Sequence, residues 1–209
     1  PADSKRPNVL LIVVDTLRAD RLGQGGNRRS TSPVMDALAD RGARFSQAHS
    51  SGPWTLPGTA SILTGLTPPE HGIGASTSSS LAHPLVSLPE FFQRQGWLTG
   101  GFAMNPLISA RHCFDQGFDT LTSRRWALAR DHEQDWLGWL EEHAHERFFL
   151  YLHLIEPHYP YMPSHESCDA LGIKPAEGED HLDPRLVLRR WYEDGVGSPE
   201  ALRQMSSRQ

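Results

Sequence analysis

The sequence predicts an α/β fold with a mostly parallel sheet flanked by helices. Three observations carry that prediction. Strand-length apolar runs recur along the chain, and helical segments alternate with them. Two of the runs, 9–14 and 148–155, end abruptly in polar residues. In sheets of this kind, chemistry gathers beyond the carboxyl ends of the strands.

The elements follow in order. Residues 1–7 are polar and read as a frayed start. Residues 9–14, VLLIVV, form a continuous β-branched and leucine run, the pattern of a strand buried on both faces; it stops at Asp15. Residues 22–32 are rich in Gly, Asn, Arg and Ser, a loop. Ser32-Pro33 reads as an N-cap with a first-turn proline, opening a helix over 34–41 that stops at Gly42. Residues 43–49 alternate and predict a short strand. A Pro/Gly-punctuated turn then carries Thr55 into a short helix over 59–64, closed by Gly65. Residues 75–80 are a small-residue surface loop. A helix over 88–95 ends at Gly96, and 98–104 is the next strand. Residues 131–144 form an amphipathic helix with Trp136, Trp139 and Leu140 at helical spacing. The strand over 148–155 runs into Glu156, Pro157 and His158. After Pro163 the composition turns polar, so the core is expected over 1–163 and an extension over 164–209. In that extension only 182–192 looks helical, and 195–209 has the composition of a disordered end.

Bulk properties narrow the function. The chain has 209 residues, enough for one domain with a sizeable core. Its net charge of −5, from 20 basic and 25 acidic residues, argues against capture of nucleic acid or a membrane surface. No apolar run approaches the roughly 20 residues of a transmembrane span. Cys113 and Cys168 form no CxxC, which leaves a disulfide and two free thiols both open. The chain starts at Pro1, not Met, and reads as processed or as a fragment.

Four segments together resemble the sulfatase family of the alkaline phosphatase superfamily: PNVLLIVVDTLRADRLG, SSGPWTLPGTASILTGLTPPEHGIG, GFAMNPLISARHCFDQGFDTL and FFLYLHLIEPHYPYMP. They occur in the family's order and cover most of residues 7–163. The resemblance implies an N-terminal portion of the family's α/β domain, lacking the C-terminal part. It implies a divalent metal (Ca, Mg, Mn or Zn) bound by Asp15, with Thr16 where many members have a second Asp. The family's nucleophile motif is C-x-P-x-R or S-x-P-x-R. Here it reads Thr55-Leu56-Pro57-Gly58-Thr59, so Thr55 stands at the nucleophile and Thr59 at the arginine. Oxidation of threonine gives only a ketone, so no formylglycine is expected. A threonine hydroxyl is instead similar to the nucleophile of phosphodiesterase and phosphoglycerol-transferase relatives, and needs a metal or base to ionise near neutral pH. By the same resemblance His158 donates a proton or hydrogen bond to the leaving group, with His153 the weaker candidate. Asn105, which follows the strand over 98–104, reads as a site-lining amide, and His153 and Thr59 are assigned with it to the substrate site. The family's further metal-binding acids lie on a later strand. The nearest string here, Glu179-Asp180-His181, reads as a solvated loop.

Ordinary readings stand beside these. Asp15 and Thr55 taken singly are also turn or cap residues. His158 between two prolines is also a structural loop residue. His71 and Gly72 read as turn and packing residues. His49, His83, His112, His143 and His145 read as surface or boundary residues, and Arg124 with Arg125 as a solvated pair.

The expectation is a sulfatase-like, metal-dependent hydrolase of sulfate or phosphate esters, acting on a small anionic substrate. Threonine makes phosphoryl transfer the easier chemistry to defend. The alternatives are a truncated or degenerate non-catalytic protein, and a phosphoglycerol- or phosphoethanolamine-type transferase. Family relatives are often exported or membrane-tethered, so the resemblance implies a periplasmic or extracellular home. A parallel sheet without its later strands would leave an apolar edge uncovered.

Overall fold

The computed structural model describes residues 7–158 and 163–172. The polar start over 1–6, the Glu179-Asp180-His181 string, the helix expected over 182–192 and the end at 195–209 lie outside the described residues.

Four strands, β1 (Val9–Val14), β2 (Leu98–Ala103), β3 (Thr120–Ser123) and β4 (Phe148–Leu154), form one sheet in the spatial order β1-β4-β2-β3. Every neighbouring pair is parallel. Six α-helices occur among the described residues: α1 (Pro33–Ala39), α2 (Thr55–Thr64), α3 (Pro68–His71), α4 (Leu88–Arg94), α5 (Ala129–Glu142) and α6 (His165–Leu171). None is long and apolar enough to cross a membrane. The chain divides into two compact units. One comprises Pro1–Asp15 with Phe45–Glu156 and holds the sheet and α2–α5; the other comprises Thr16–Arg44 with Pro157–Gln209 and holds α1 and α6.

In the sheet unit, β4 lies between β1 and β2 and is buried along almost its whole length. Side chains alternate across a strand, and β4 uses both faces. Phe149 and Tyr151 join Leu56, Ala60 and Leu63 of α2 in one apolar cluster. Leu150 and Leu152 join Phe102, Met104 and Trp139 of α5 in another. The layering is therefore helix, sheet, helix. Two adjacent glycines in β2 make room for it. A Cβ on Gly100 would fall 2.7 Å from the Trp139 ring, and one on Gly101 would fall 2.7 Å from Leu121 Cδ1. Short polar ties set the helix ends. Ser87 and Glu90 form a reciprocal capping box at the start of α4. The Glu156 carboxylate accepts from the Ala129 N–H at 3.0 Å, placing a negative charge at the N-terminus of α5. β3 is tied to β2 through Asp119, which accepts from the Thr99 N–H at 2.9 Å and the Thr99 hydroxyl at 3.0 Å.

In the other unit, Ser32 occupies the N-cap position of α1 with Pro33 behind it. Its hydroxyl accepts from the Gly23 N–H at 2.9 Å and donates to Asp36 at 3.0 Å. Ser164 caps α6 by accepting from the Ser167 N–H. Both cysteines are free thiols.

Several sequence expectations need correction. β1 is not buried on both faces: it is the outer strand among those described, and Leu10 and Ile12 are 52% and 48% exposed. Register puts them on the same face as Leu150 and Leu152, but the cluster around Trp139 covers β2 and β4 and stops short of β1. An apolar run reports that a strand is hydrophobic, not what covers it. Residues 43–49 form no strand; they are an exposed loop, because the alternation carries only Phe45 as a large apolar residue. The helix expected from residue 59 begins at Thr55. Strand β3, with the polar sequence TLTS, and the short helices α3 and α6 had no apolar signature to announce them. His112 is buried, its Nδ1 2.8 Å from the Ser79 carbonyl oxygen, and is not a surface residue.

Gly100→Ala should destabilise the protein by about 1–3 kcal/mol, because a methyl forced against a packed indole cannot be absorbed by a flexible side chain. Urea unfolding followed by tryptophan fluorescence measures it; unchanged stability would show that the Trp139 packing is looser than the geometry states.

Candidate active site

Three parallel strands deliver their carboxyl ends to one side of the sheet unit, and α2 starts there. β1 ends at Asp15, whose N–H donates to the Leu154 carbonyl at 2.9 Å and so extends the β1–β4 ladder by one rung. β2 runs out through Met104 to Asn105. β4 presents His153 one residue before its end. Trp54 is extended, and Thr55 is the first residue of α2. Pro57 is tolerated in the first turn because its missing N–H would have had no helical partner there. The loop before it is pressed close: a Cβ on Gly52 would lie 2.6 Å from the Gly58 nitrogen, so only glycine fits.

These residues converge on one oxygen. Asp15 Oδ2 accepts from the Asn105 amide nitrogen at 2.9 Å and from the Thr55 hydroxyl at 3.3 Å, with His153 Nε2 at 3.4 Å. The Asn105 nitrogen also lies 3.4 Å from Thr55 Oγ1. The Leu107 N–H donates to Asn105 Oδ1 at 3.0 Å, which fixes the amide with its NH₂ toward the carboxylate. Asn105 and His153 are fully buried. His153 Nδ1 is 2.7 Å from the Tyr151 hydroxyl. Burial pushes the Tyr151 phenol far above its usual range; a hydrogen bond from Thr59 opposes that shift, and the Asp15 charge adds to it.

The structure thus brings Asp15, Thr55, Asn105 and His153 together, with Thr59 one step further along through Tyr151. Thr59 is buried, so the position of the family's arginine holds a neutral hydroxyl turned into the core. Thr16 and His158 belong to the other unit. Thr16 is exposed and takes a left-handed φ of 57°, uncommon for a β-branched residue. His158 is half-buried, and Tyr159 and Pro160 of its motif lie outside the described residues. His71 is a loop tie: its Nδ1 accepts from the Ile73 N–H at 3.1 Å and its Nε2 lies 3.1 Å from Ser61 Oγ. Tyr151 was missed in the sequence, although period-two spacing puts it on the same strand face as His153.

Among the described residues, the donors do not make up a divalent-cation site. Ca²⁺ takes roughly 6–8 oxygen ligands, with carboxylates prominent among them. Among the described residues no three His, Cys, Asp or Glu side chains gather into such a set. Asp15 Oδ2 already accepts from the Asn105 N–H and the Thr55 O–H, an arrangement that compensates an anion.

The same fold occurs in proteins of the alkaline phosphatase superfamily. A structure solved with its substrate D-glucosamine-2-N,6-O-disulfate is 24% identical with a TM-score of 0.63, covering 77% of this chain and 36% of that one. The phosphonate monoester hydrolase of Agrobacterium radiobacter is 22% identical with a TM-score of 0.57, covering 78% and 43%. At such identities the likeness is one of fold. The sulfatase family model matches residues 7–172, and the chain belongs to the sulfatase family. An arylsulfatase of Clostridium perfringens is 40% identical over 67 residues, 32% of this chain and 14% of that protein. This chain spans well under half the length of each of these three proteins.

Asn105→Ala should cost about 1–3 kcal/mol of stability, since it strips a buried donor from Asp15 and leaves the Leu107 N–H without its acceptor. Chemical unfolding tests this. A loss below about 0.5 kcal/mol would mean that water replaces the amide without penalty.

Proposed function

We propose that this chain carries the nucleophile-bearing part of a sulfatase-family ester hydrolase, with Thr55 as the nucleophile and a small anionic ester as the substrate. One observation carries the proposal: the Thr55 hydroxyl, at the first residue of α2, donates to the Asp15 carboxylate. Asp15 is then placed to take the Thr55 proton as oxygen attacks phosphorus or sulfur. The unpaired N–H groups of the first turn of α2 add a modest field for the incoming anion. Resemblance assigns the proton for the leaving oxygen to His158. Phosphate esters are the better substrates on chemical grounds, because Thr55 offers an alcohol and cannot become formylglycine. No step is routed through a metal, given the donors described above; any cation of the family type would draw its remaining ligands from beyond them. By the same resemblance we place the protein in a periplasmic or extracellular setting.

A second reading is supported by Thr59. Its buried hydroxyl, where the family motif has an arginine, removes a cation that would brace the ester. That favours a degenerate, non-catalytic domain. A transferase handing the group to an alcohol would use the same Thr55 step.

Aryl phosphate and aryl sulfate offered in parallel separate these readings. Phosphate cleavage is expected to exceed sulfate cleavage, and Thr55→Ala to lose about 10³-fold or more, as removal of a nucleophile does. Full turnover by Thr55→Ala would remove the nucleophile assignment, and no turnover by the parent would favour the degenerate domain. Calorimetric titration of the 209-residue chain with Ca²⁺, Mg²⁺, Mn²⁺ and Zn²⁺ tests where the ligands lie: with only the described donors, binding no tighter than about millimolar is expected, the weak end of the range for oxygen-donor sites. Micromolar binding would show that residues beyond the described ones complete a metal site.

A further inference from the structure

We infer that Tyr151 is a positioning residue that locks His153 as its Nε2–H tautomer, making the imidazole a fixed donor to Asp15 and not a base. The inference rests on the reading of Asp15 and Thr55 as the reactive pair for its functional consequence, but its physical content is independent of turnover.

The bonds at the two ends of His153 dictate the tautomer. At one end, 3.4 Å from Nε2, sits a carboxylate oxygen, which when ionised can only accept. At the other end, 2.7 Å from Nδ1, sits the phenol oxygen of Tyr151. A phenol carries one proton and can give it to only one neighbour. The Asp15 carboxylate settles which: with a hydrogen on Nε2 facing it, Nδ1 is left as an acceptor, and the Tyr151 hydroxyl is the donor within reach. The alternative, with the proton on Nδ1, would turn the Nε2 lone pair toward the carboxylate, two acceptors facing each other. Tyr151 and His153 lie two apart on β4, on the same face, and are fully buried. Water therefore has little access to correct a wrong tautomer.

Long-range ¹H–¹⁵N spectra of the imidazoles near neutral pH test this directly. His153 is expected to show a protonated Nε2 and an unprotonated, hydrogen-bonded Nδ1. In Tyr151→Phe the Nδ1 resonance should move toward that of an acceptor without a partner. A protonated Nδ1 in the parent protein, or an Nδ1 resonance unaffected by Tyr151→Phe, would overturn the inference. The parent spectrum needs no variant to fold. Where Thr55-dependent turnover is present, Tyr151→Phe should lower kcat about tenfold with KM unchanged, the size typical of losing an outer-shell partner. Failure of turnover with the expected spectrum would count against the proposed function alone. The reverse result would count against the tautomer lock alone.

Discussion

Asp15 is a carboxylate held at the end of a strand by polar contacts from three other elements. α2 supplies Thr55, the segment after β2 supplies Asn105, and β4 supplies His153. That convergence depends on the parallel register. β4 pairs with β1 on one side and β2 on the other, so three strand ends finish at the same level. An antiparallel neighbour would have sent one of them to the far end of the sheet. The core serves this placement: Leu56, Ala60 and Leu63 of α2 are buried against Phe149 and Tyr151, which anchors the helix whose first residue is Thr55.

Much of this was legible in the chain, and for physical reasons. Continuous apolar runs gave β1 and β4, because parallel strands in α/β domains are hydrophobic throughout. The polar residues at their ends gave the level at which chemistry would gather. Asn105 stood out because it follows a strand directly. Other features left no trace in pattern. β3 is four residues of mostly threonine and serine, held by pairing with β2, which is information about a neighbour and not about itself. The exposure of Leu10 and Ile12 depends on where α5 ends its coverage, a tertiary fact. Tyr151 looked like one more core aromatic in FFLYLHL. Only the coordinates show its hydroxyl touching a histidine.

The departures from the family motif also acquire a common meaning. Thr55 in place of Cys or Ser leaves a hydroxyl at that position, hydrogen-bonded to Asp15. Thr59 in place of Arg leaves a buried, uncharged side chain. Family membership accounts for the architecture; under the proposed function, these two positions are where the chemistry would depart from the family motif.

One feature bears on how a ligand would be received. Asn105 is oriented by Leu107 so that it faces Asp15 with hydrogens. With Asp15 ionised, the corner carries that carboxylate's negative charge, softened by the dipoles of its donors but not cancelled. A phosphate monoester arriving about 4 Å away would be repelled by about 4 kcal/mol per unit charge at an effective dielectric near 20. In the proposed reaction, proton transfer from Thr55 to Asp15 leaves the net charge unchanged and moves it from the carboxylate to the attacking oxygen, where bond formation to phosphorus spreads it over the ester oxygens.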